Sequence, residues 1–382
     1  MDFTFSEEQQ AIKDTASRFA GERLAPIAAA LDRGEQQDVF LENLRELASL
    51  GFMGLNIDSA YGGTAAGTVS FSLAITELAR ACAATAVTVS VTNMVAEVIQ
   101  AIGNEEQRAR YLPPLCSGEF RAGAFCLSET GAGSDPAAMT TRAVRDGDDW
   151  VIDGAKAWIT SAPYAGVFVV WAVTDPSRPR GKGISCFLVD AGTPGLTIGT
   201  AEDKMGQIAS ATCSVHFDSC RIPTSALLGR ENQGFRIAVG ELAGGRIGIG
   251  SLALGVAEAA MDIARKYIRE RQQFGQALAV LLGIQWQVAE TCTELEAARL
   301  LLLHAAWQKD AGQEFGNAAS MAKLFASEKA NSACYRALQL MGGAGYTRDY
   351  PLERLARDAR FTALYEGTSE IQRIIIARHL LN

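Results

Sequence analysis

The order of periodic patterns along the chain constrains the fold more than any other feature of this sequence. Residues 1–120 and 231–382 carry apolar side chains at helical spacing, whereas residues 121–230 hold short runs rich in Val, Ile, Thr, Phe and Trp. The first pattern is typical of helices and the second of strands. Because helices and strands do not alternate, a doubly wound nucleotide-binding sheet is excluded. The sequence predicts an α+β protein with an N-terminal all-α domain (1–120), a middle β domain (121–230) and a C-terminal helical domain (231–382).

Local signals place several helices within these blocks. Ser6 and Gln9 have the spacing of a capping box at the start of the first helix. Further helices are predicted over residues 38–50 and 69–81, and a long amphipathic helix is predicted after residue 235.

One hairpin is predicted in the middle block. Asp153-Gly154 is a dipeptide that favours a type I′ turn, and it lies between two strand-like runs within residues 149–160. We therefore expect the chain to reverse at Asp153-Gly154.

Composition excludes several classes of protein. The 382 residues are 48% hydrophobic and 20% charged, which is too apolar for a disordered chain. The net charge of −8, with basic residues interleaved among acidic ones, predicts no nucleic-acid partner. Uninterrupted apolar runs are all shorter than the roughly 18 residues that span a bilayer, so we expect no membrane insertion.

The cysteines and histidines favour reduced thiols over a metal site. Eight cysteines form no CxxC pair and only three histidines are present, so we expect neither structural zinc nor a disulfide framework. The N-terminal residues lack both a signal-peptide pattern and a transit-peptide pattern. We therefore expect a cytoplasmic protein, or a mitochondrial matrix protein if this chain has already been processed.

Three glycine-containing segments are candidate sites. Residues 248–253 match a dinucleotide-binding pattern, but they lie within a helical period with no strand before them, so close helix packing is the better interpretation. Residues 128–135 form either a ligand loop or a tight turn. Residues 341–346 are best interpreted as the end of a helix followed by a turn.

A carboxylate near the C-terminus is a fourth candidate. Glu366 and Gly367 precede a helix for which Ser369 and Gln372 predict a capping box. From the residues alone, a glutamate in such a turn is either solvated or catalytic, and the solvated state is the commoner one.

Taken together, eight ordered motifs resemble those of the acyl-CoA dehydrogenase family, most closely the short-chain (butyryl-CoA) dehydrogenases. The motifs span nearly the whole chain and occupy residues 125–135, 156–160, 202–206, 217–223, 245–249, 271–275, 339–343 and 364–373. The resemblance implies an N-terminal helical domain, a middle β-barrel and a C-terminal four-helix bundle. It also implies a homotetramer with FAD bound between domains.

The resemblance implies desaturation of a saturated short- or medium-chain acyl-CoA to the trans-2-enoyl-CoA. Glu366 is then the base that removes the α-proton, the β-hydride passes to FAD, and an electron-transferring flavoprotein accepts the electrons. The implied substrate contacts are Ser134, Arg246 and Gly367. The implied FAD contacts are Phe125, Leu127, Ser128, Ser134, Trp158, Ile159, Thr160, Arg271, Phe274, Gln339, Gly342, Gly343, Thr368 and Glu370. Of these, Arg271, Phe274 and residues 339–343 match a surface that grips the FAD of a neighbouring subunit.

Several positions depart from the family pattern. Some members carry their catalytic glutamate at the position of Gly245, so that alternative base is absent here. Ala243 replaces an aspartate common in the short-chain branch, and Leu282 replaces a glutamine that usually contacts FAD. These departures leave acyl length and branching undetermined by the motifs.

Two alternatives use the same scaffold. The protein could act on a carrier-protein-bound or otherwise unusual acyl thioester, including as an oxidase or desulfinase variant. It could also bind acyl-CoA without turnover, although the intact Glu366 and intact flavin motifs weigh against this alternative.

Overall fold

The N-terminal region is helical, as predicted. The computed structural model describes residues 4–381. The first six helices are α1 (Glu7–Phe19), α2 (Ala28–Asp32), α3 (Gln37–Ser49), α4 (Gly67–Ala81), α5 (Ala83–Ile102) and α6 (Glu105–Ser117). The capping box at Ser6 and Gln9 is confirmed, since each side chain accepts a hydrogen bond from the backbone N–H of the other residue.

The middle region is a single mixed sheet of eight strands. The strands are β1 (Ala122–Cys126), β2 (Arg142–Asp146), β3 (Asp149–Thr160), β4 (Ala165–Val173), β5 (Ile184–Asp190), β6 (Leu196–Ala201), β7 (Thr212–Pro223) and β8 (Leu227–Leu228). Their order is β6-β7-β3-β2-β4-β5-β8, with β1 parallel to β4. The hydrogen-bonded path therefore has two ends, β6 and β8, and the expected barrel takes the form of an open sheet.

The predicted hairpin at Asp153-Gly154 is wrong. β3 continues through both residues and pairs with β7, and the chain instead reverses between β2 and β3, where Asp146 is opposite Asp149. Gly154, with φ of 144°, lies at a register shift where a Cβ would collide with Thr141. The glycine is thus needed for a bulge inside a long strand. An Asp-Gly dipeptide is compatible with a bulge as well as with a turn, so the sequence alone did not separate the two.

The C-terminal region is a helical bundle built around its third long helix. Its elements are α7 (Gly234–Glu270), β9 (Gln272–Gln273), β10 (Gln276–Ala277), α8 (Leu282–Asp310), α9 (Gly316–Met341), α10 (Gly343–Tyr346), α11 (Leu352–Phe361) and α12 (Ser369–Leu381). Helix α9 packs against α7, α8, α11 and α12. Gly342, with a positive φ of 58°, follows α9, which confirms the predicted helix end, but the turn predicted after it is wrong because Gly343–Tyr346 form the short helix α10.

Two of the three hydrophobic cores cross the boundaries between sequence blocks. The largest core joins α4 and α5 to α7 and α9, so the two helical regions share one interior. A second core lies between α5 and one face of the sheet, and the third lies within the sheet. The glycines of residues 248–253 belong to the shared interior, because a Cβ on Gly248 would collide with Ser90. The helix-packing interpretation of that segment is confirmed.

Two helices are longer and more apolar than the sequence analysis allowed. By length and mean hydropathy, α5 and α7 are each compatible with a membrane span, which the search for uninterrupted apolar runs missed. Their most apolar windows are 78% and 83% buried inside the protein, respectively. Burial on this scale identifies them as the core helices around which the other layers pack.

Candidate active site

The turn between α11 and α12 places Glu366 and Gly367 directly before a helix, as predicted. Both residues have left-handed backbone, with φ of 55° and 85°. Such a conformation costs a non-glycine residue about 1–3 kcal/mol, so the surroundings must impose it. Gln372 Nε2 donates to the carbonyls of Glu366 and Gly367 at 3.0 and 2.9 Å, and Lys323 Nζ donates to Gly367 at 2.7 Å. The turn is therefore held from two sides.

The predicted capping box at Ser369 and Gln372 is wrong. The hydroxyl of Thr368 caps α12 by accepting from the N–H of Ile371 at 3.4 Å, whereas the hydroxyl of Ser369 is buried and has no partner. The side chain of Gln372 is engaged by the two turn carbonyls instead. Because Gln372 bonds the carbonyls of Glu366 and Gly367, it does not form a capping box with Ser369.

The carboxylate of Glu366 has the environment of a base poised near neutrality. Its Oε2 atom is buried and makes no hydrogen bond. Burial raises the pKa of Glu366 to about 7, although the charges of Arg246 and Lys323 oppose the shift. Among residues 4–381, the backbone N–H of Glu366 has no acceptor. One turn thus supplies a proton acceptor and a free N–H donor for a developing oxyanion.

Two buried cations flank this turn from the helical bundle. Arg246 on α7 donates to Ser320 Oγ at 3.2 Å, and its buried Nε has no partner. Lys323 on α9 is fully buried, and burial lowers its pKa to about 8. The sequence analysis predicted Arg246 but missed Lys323. The signal was present, since Lys323 falls on the same helical stripe as the buried Ala319, Ala326 and Ala330.

The absence of a side chain at Gly245 makes room for Glu366. A Cβ on Gly245 would lie 2.8 Å from Oε2 of Glu366 and 2.8 Å from the sulfur of Met94. The carboxylate of Glu366 thus lies where a side chain at residue 245, the position of the alternative base, would begin.

The loop after β1 is held by a buried ion pair. Lys156 is 1% exposed, and its Nζ donates to Glu129 Oε1 at 2.9 Å and to the carbonyl of Leu127 at 3.2 Å. Glu129 also accepts from the N–H groups of Thr140 and Thr141. Burial opposes ionisation of Glu129, but Lys156 and these hydrogen bonds together lower its pKa to about 2. The motif match included both ionic residues without indicating that they pair.

A bulge presents Trp158 beside this loop. The register of β3 against β7 shifts between Lys156 and Ile159, and Trp158 has φ of 63° and is 57% exposed. The side chain of Ile159 is buried in the sheet core, so only its backbone is available to a ligand. Ala157 N–H donates to the carbonyl of Ser128 at 2.9 Å, which ties the loop to the strand. The indole therefore lies next to the loop that precedes it by 30 residues in sequence.

The chemistry of this surface fits a flat ring with polar edges. In the described part of the chain, the hydroxyls of Ser128, Ser134 and Thr160 make no hydrogen bond, and Ser134 is exposed. Phe125 packs against Trp171 with ring centroids 4.3 Å apart, and Leu127 is buried beneath the loop. An exposed indole face with unused donors nearby is what the isoalloxazine of FAD requires. The residues present therefore fit the implied cofactor.

A second group of predicted cofactor residues is exposed and, within residues 4–381, is not bonded to this surface. Arg271, Gln339, Gly342 and Gly343 are exposed, and Phe274 is 91% exposed. Over residues 4–381, no hydrogen bond or ion pair connects them to Glu366 or to the loop after β1. Open space surrounds the position of a Cβ on Gly342 and on Gly343. These residues are therefore exposed and, in the described part of the chain, are not bonded to the first set of predicted residues.

The start of α12 carries the last predicted cofactor residues. Thr368 serves as the helix cap, and the exposed Glu370 is 3.7 Å from Arg373 in an ion pair. Both residues directly follow the turn of Glu366.

Comparisons with known proteins agree with this geometry. The family models for the N-terminal, middle and C-terminal domains of acyl-CoA dehydrogenases match residues 6–119, 124–220 and 232–381. The chain is 44% identical to the mitochondrial short-chain specific acyl-CoA dehydrogenase of Mus musculus, over 98% of this chain and 90% of that protein. It is 43% identical to an NADH-dependent acryloyl-CoA reductase of Anaerotignum propionicum, over 100% of this chain and 96% of that protein.

Solved structures give the same result. The butyryl-CoA dehydrogenase of Megasphaera elsdenii matches with a TM-score of 0.96 and 37% identity, covering 100% of both chains. The acyl-CoA dehydrogenase fold, in which helical domains flank a sheet domain, accounts for every layer described above. With all three domain models matched in order, the chain belongs to the acyl-CoA dehydrogenase family of FAD-dependent oxidoreductases.

Proposed function

We propose that this protein desaturates a saturated short- or medium-chain acyl-CoA to the trans-2-enoyl-CoA, with Glu366 as the base that removes the α-proton. One observation carries the proposal: within residues 4–381, the turn of Glu366 combines a buried carboxylate oxygen without a partner and a backbone N–H without an acceptor. A weakly acidic α-proton requires both a base and a donor for the thioester oxygen, because the charge left by the proton moves to that oxygen.

The other residues of the site position these two groups. The indole of Trp158 and the hydroxyls of Ser128 and Thr160 would hold the isoalloxazine. When bound, FAD supplies an acceptor for the β-hydride. The hydrogen bonds from Gln372 and Lys323 to the turn carbonyls hold the backbone that carries the carboxylate of Glu366. Burial raises the pKa of Glu366 to about 7, so its carboxylate is a stronger base than that of an exposed glutamate and is still partly ionised at physiological pH.

Anaerobic addition of acyl-CoA tests the proposed reaction. We expect butyryl-CoA to bleach the flavin absorbance band, and a series of acyl chains from about four to twelve carbons to define the preferred length. Tight binding without bleaching would favour the non-catalytic alternative. Bleaching by a butyryl group on a carrier protein, but not by butyryl-CoA, would favour the carrier-protein alternative. The 43% identical acryloyl-CoA reductase makes the reverse reaction, reduction of a short 2-enoyl-CoA, the second candidate.

We further propose a homotetramer, an electron-transferring flavoprotein as electron acceptor, and a cytoplasmic location. The exposed Arg271 and Phe274 support the assembly, because they match positions that grip the FAD of a neighbouring subunit and, within residues 4–381, no hydrogen bond or ion pair joins their side chains to Trp158 or to the loop after β1. The location stays a prediction from the N-terminal sequence, with the mitochondrial matrix as the alternative for a processed chain.

Arg271→Ala is expected to weaken FAD binding by about ten- to a hundredfold, because a guanidinium facing a pyrophosphate contributes roughly 1.5–3 kcal/mol. A cofactor held between subunits stabilises the oligomer, so the variant should dissociate on dilution and reassemble with excess FAD. Flavin fluorescence and light scattering measure the two effects. Arg178→Ala, which removes another exposed arginine, is the control. A fully flavinated, undissociated Arg271→Ala protein at nanomolar concentration would show that Arg271 is an ordinary surface residue.

Gly245→Ala is expected to lower kcat/KM for acyl-CoA by about tenfold or more while the protein stays folded. The new methyl group would displace the carboxylate of Glu366 and the sulfur of Met94, which are both ends of flexible side chains. Folding therefore tolerates the change, whereas a displacement of about 1 Å at a reacting group can reduce rate a hundredfold. Gly240→Ala on the same helix, where a Cβ meets nothing within 4 Å, is the matched control. Equal kinetics for both variants would contradict the crowding argument.

A further inference from the structure

The side chain of a buried lysine on α9 reaches the turn of Glu366. Lys323 on α9 is 0% exposed, and its Nζ donates to the carbonyl of Gly367 at 2.7 Å. Lysines are almost never fully buried unless they are paired. Within residues 4–381, Lys323 has no carboxylate within the 4.0 Å of a salt bridge. A structural ion pair therefore does not explain this buried charge.

The position of Lys323 on its helix calls for an apolar residue. It lies on the stripe of α9 that carries Ala319, Ala326 and Ala330, and all three are buried. An apolar side chain of similar length would pack there without removing a charge from water. The charge thus opposes folding at this position, and a buried charge beside a base is a candidate for a role in function.

The charges that face Lys323 come from several elements. Glu366 attracts its charge, Arg246 on α7 repels it, and Glu370 on α12 and Glu328 on α9 attract it more weakly. Burial is the largest influence and lowers the pKa of Lys323 to about 8. Since the pKa of Glu366 is about 7, there is an interval near pH 7–8 in which the carboxylate is ionised and the ammonium is still charged.

We propose that Lys323 is a positioning residue for Glu366, which fixes the turn through the carbonyl of Gly367 and uses its buried charge to keep the carboxylate ionised. The inference rests on the proposed role of Glu366 as the base. It deepens that proposal, because it gives a side chain outside the recognised motifs a part in the geometry of the turn, beside Gln372, and in the ionisation of the base, beside Arg246.

Three variants of Lys323 separate the two actions. Lys323→Gln keeps a donor for the Gly367 carbonyl without the charge, Lys323→Arg keeps the charge, and Lys323→Met keeps neither. Lys329→Met is the control, because Lys329 lies on the same helix, partly exposed, in an ion pair with Glu294. Flavin content and thermal unfolding establish that each variant is folded.

Titration of Glu366 can be measured without turnover. The infrared carbonyl band of protonated Glu366 is identified by subtraction of the Glu366→Gln protein and followed against pH. We expect Lys323→Met and Lys323→Gln to raise the midpoint by about one pH unit, since a nearby opposite charge favours the ionised form. Lys323→Arg and Lys329→Met should leave the midpoint unchanged.

Kinetics then report on the turn itself. We expect the acid limb of the kcat/KM profile to move with the infrared midpoint. At pH 8.5, where Glu366 is mostly ionised in every variant, Lys323→Met should retain about a tenth of the wild-type kcat, and Lys323→Gln should recover most of it. If Lys323 had only a structural role, Lys323→Met and Lys323→Gln would lower kcat equally, and the pH profile of kcat/KM would not shift.

The outcomes distinguish this inference from the proposed function. If the infrared midpoint in Lys323→Gln equals that of the wild type, the charge of Lys323 does not keep Glu366 ionised and this part of the inference is overturned. Lys323→Gln alone tests the effect of the charge if Lys323→Met fails to fold. Equal kcat for Lys323→Met and wild type at pH 8.5 overturns the turn-fixing role. If the midpoint moves as expected but no acyl-CoA is turned over by the wild type, the proposed function fails while the electrostatic link between Lys323 and Glu366 stands.

Discussion

Replacement of Glu366 by Gln is expected to lower kcat by about 10²–10⁴, which is the usual contribution of a positioned base. The amide keeps the shape of the side chain but cannot accept the α-proton. The hydrogen bonds of Gln372 and Lys323 to the turn involve backbone carbonyls, so the turn should persist in the variant. Stopped-flow reduction of the flavin by butyryl-CoA measures the effect, with flavin content as the check on folding.

Glu296→Gln provides the matched control for this experiment. Glu296 is exposed on α8 in a surface ion pair with Arg299, so its replacement should leave kcat unchanged. Retention of more than about a tenth of wild-type turnover by Glu366→Gln would exclude Glu366 as the base, since a base contributes at least a hundredfold.

Lys156→Met is expected to lower the free energy of unfolding by about 3–5 kcal/mol, because it leaves the carboxylate of Glu129 buried without its partner. The loop after β1 should loosen as well, since Lys156 also bonds the carbonyl of Leu127, and the variant should lose FAD on dilution. Urea unfolding followed by tryptophan fluorescence measures the stability. Arg221→Met, which breaks an exposed pair with Asp146 and Asp149, should cost no more than about 1 kcal/mol.

The pH dependence of that difference gives a second check. In the wild type the pKa of Glu129 is lowered to about 2, so its stabilising contribution is present above the unfolded pKa and is lost only as pH falls towards 2. In Lys156→Met the unpaired buried carboxylate should have a raised pKa, so the folded state prefers the protonated form. The stability gap should therefore be smaller at pH 4 than at pH 7. A gap that does not change with pH would show that lost packing, rather than the unpaired carboxylate, causes the destabilisation.

The sequence predicted most of the local architecture correctly. Helix starts such as Ser6, helix ends such as Gly342 and the turn of Glu366 depend on a few neighbouring residues, and such signals are visible in a single chain. The errors at Asp153-Gly154 and at Ser369 have different causes. At Asp153-Gly154 a local turn preference lost to pairing with β7, which is distant in sequence. At Ser369 the side chain of Gln372 bonds the carbonyls of Glu366 and Gly367, six and five residues before it, instead of forming the capping box.

The chemistry of the site depended more on distant contacts. Motif matching identified Glu366, Arg246 and Trp158, but it did not identify the buried Lys323 or the pairing of Lys156 with Glu129. A lysine is ordinarily a surface residue, so its place on a stripe of alanines was overlooked, and the packing of α9 against its neighbours shows that Lys323 is enclosed.

By itself, the sequence determined the order of helical and strand blocks, the family and the identity of the candidate base, because periodicity and short motifs are properties of neighbouring residues. Only the tertiary structure decided that the two helical blocks share one core, that a bulge exposes Trp158, and that burial raises the pKa of Glu366 to about 7. Burial and electrostatic environment are sums over residues brought together from the whole chain. They therefore exist only once the chain has folded.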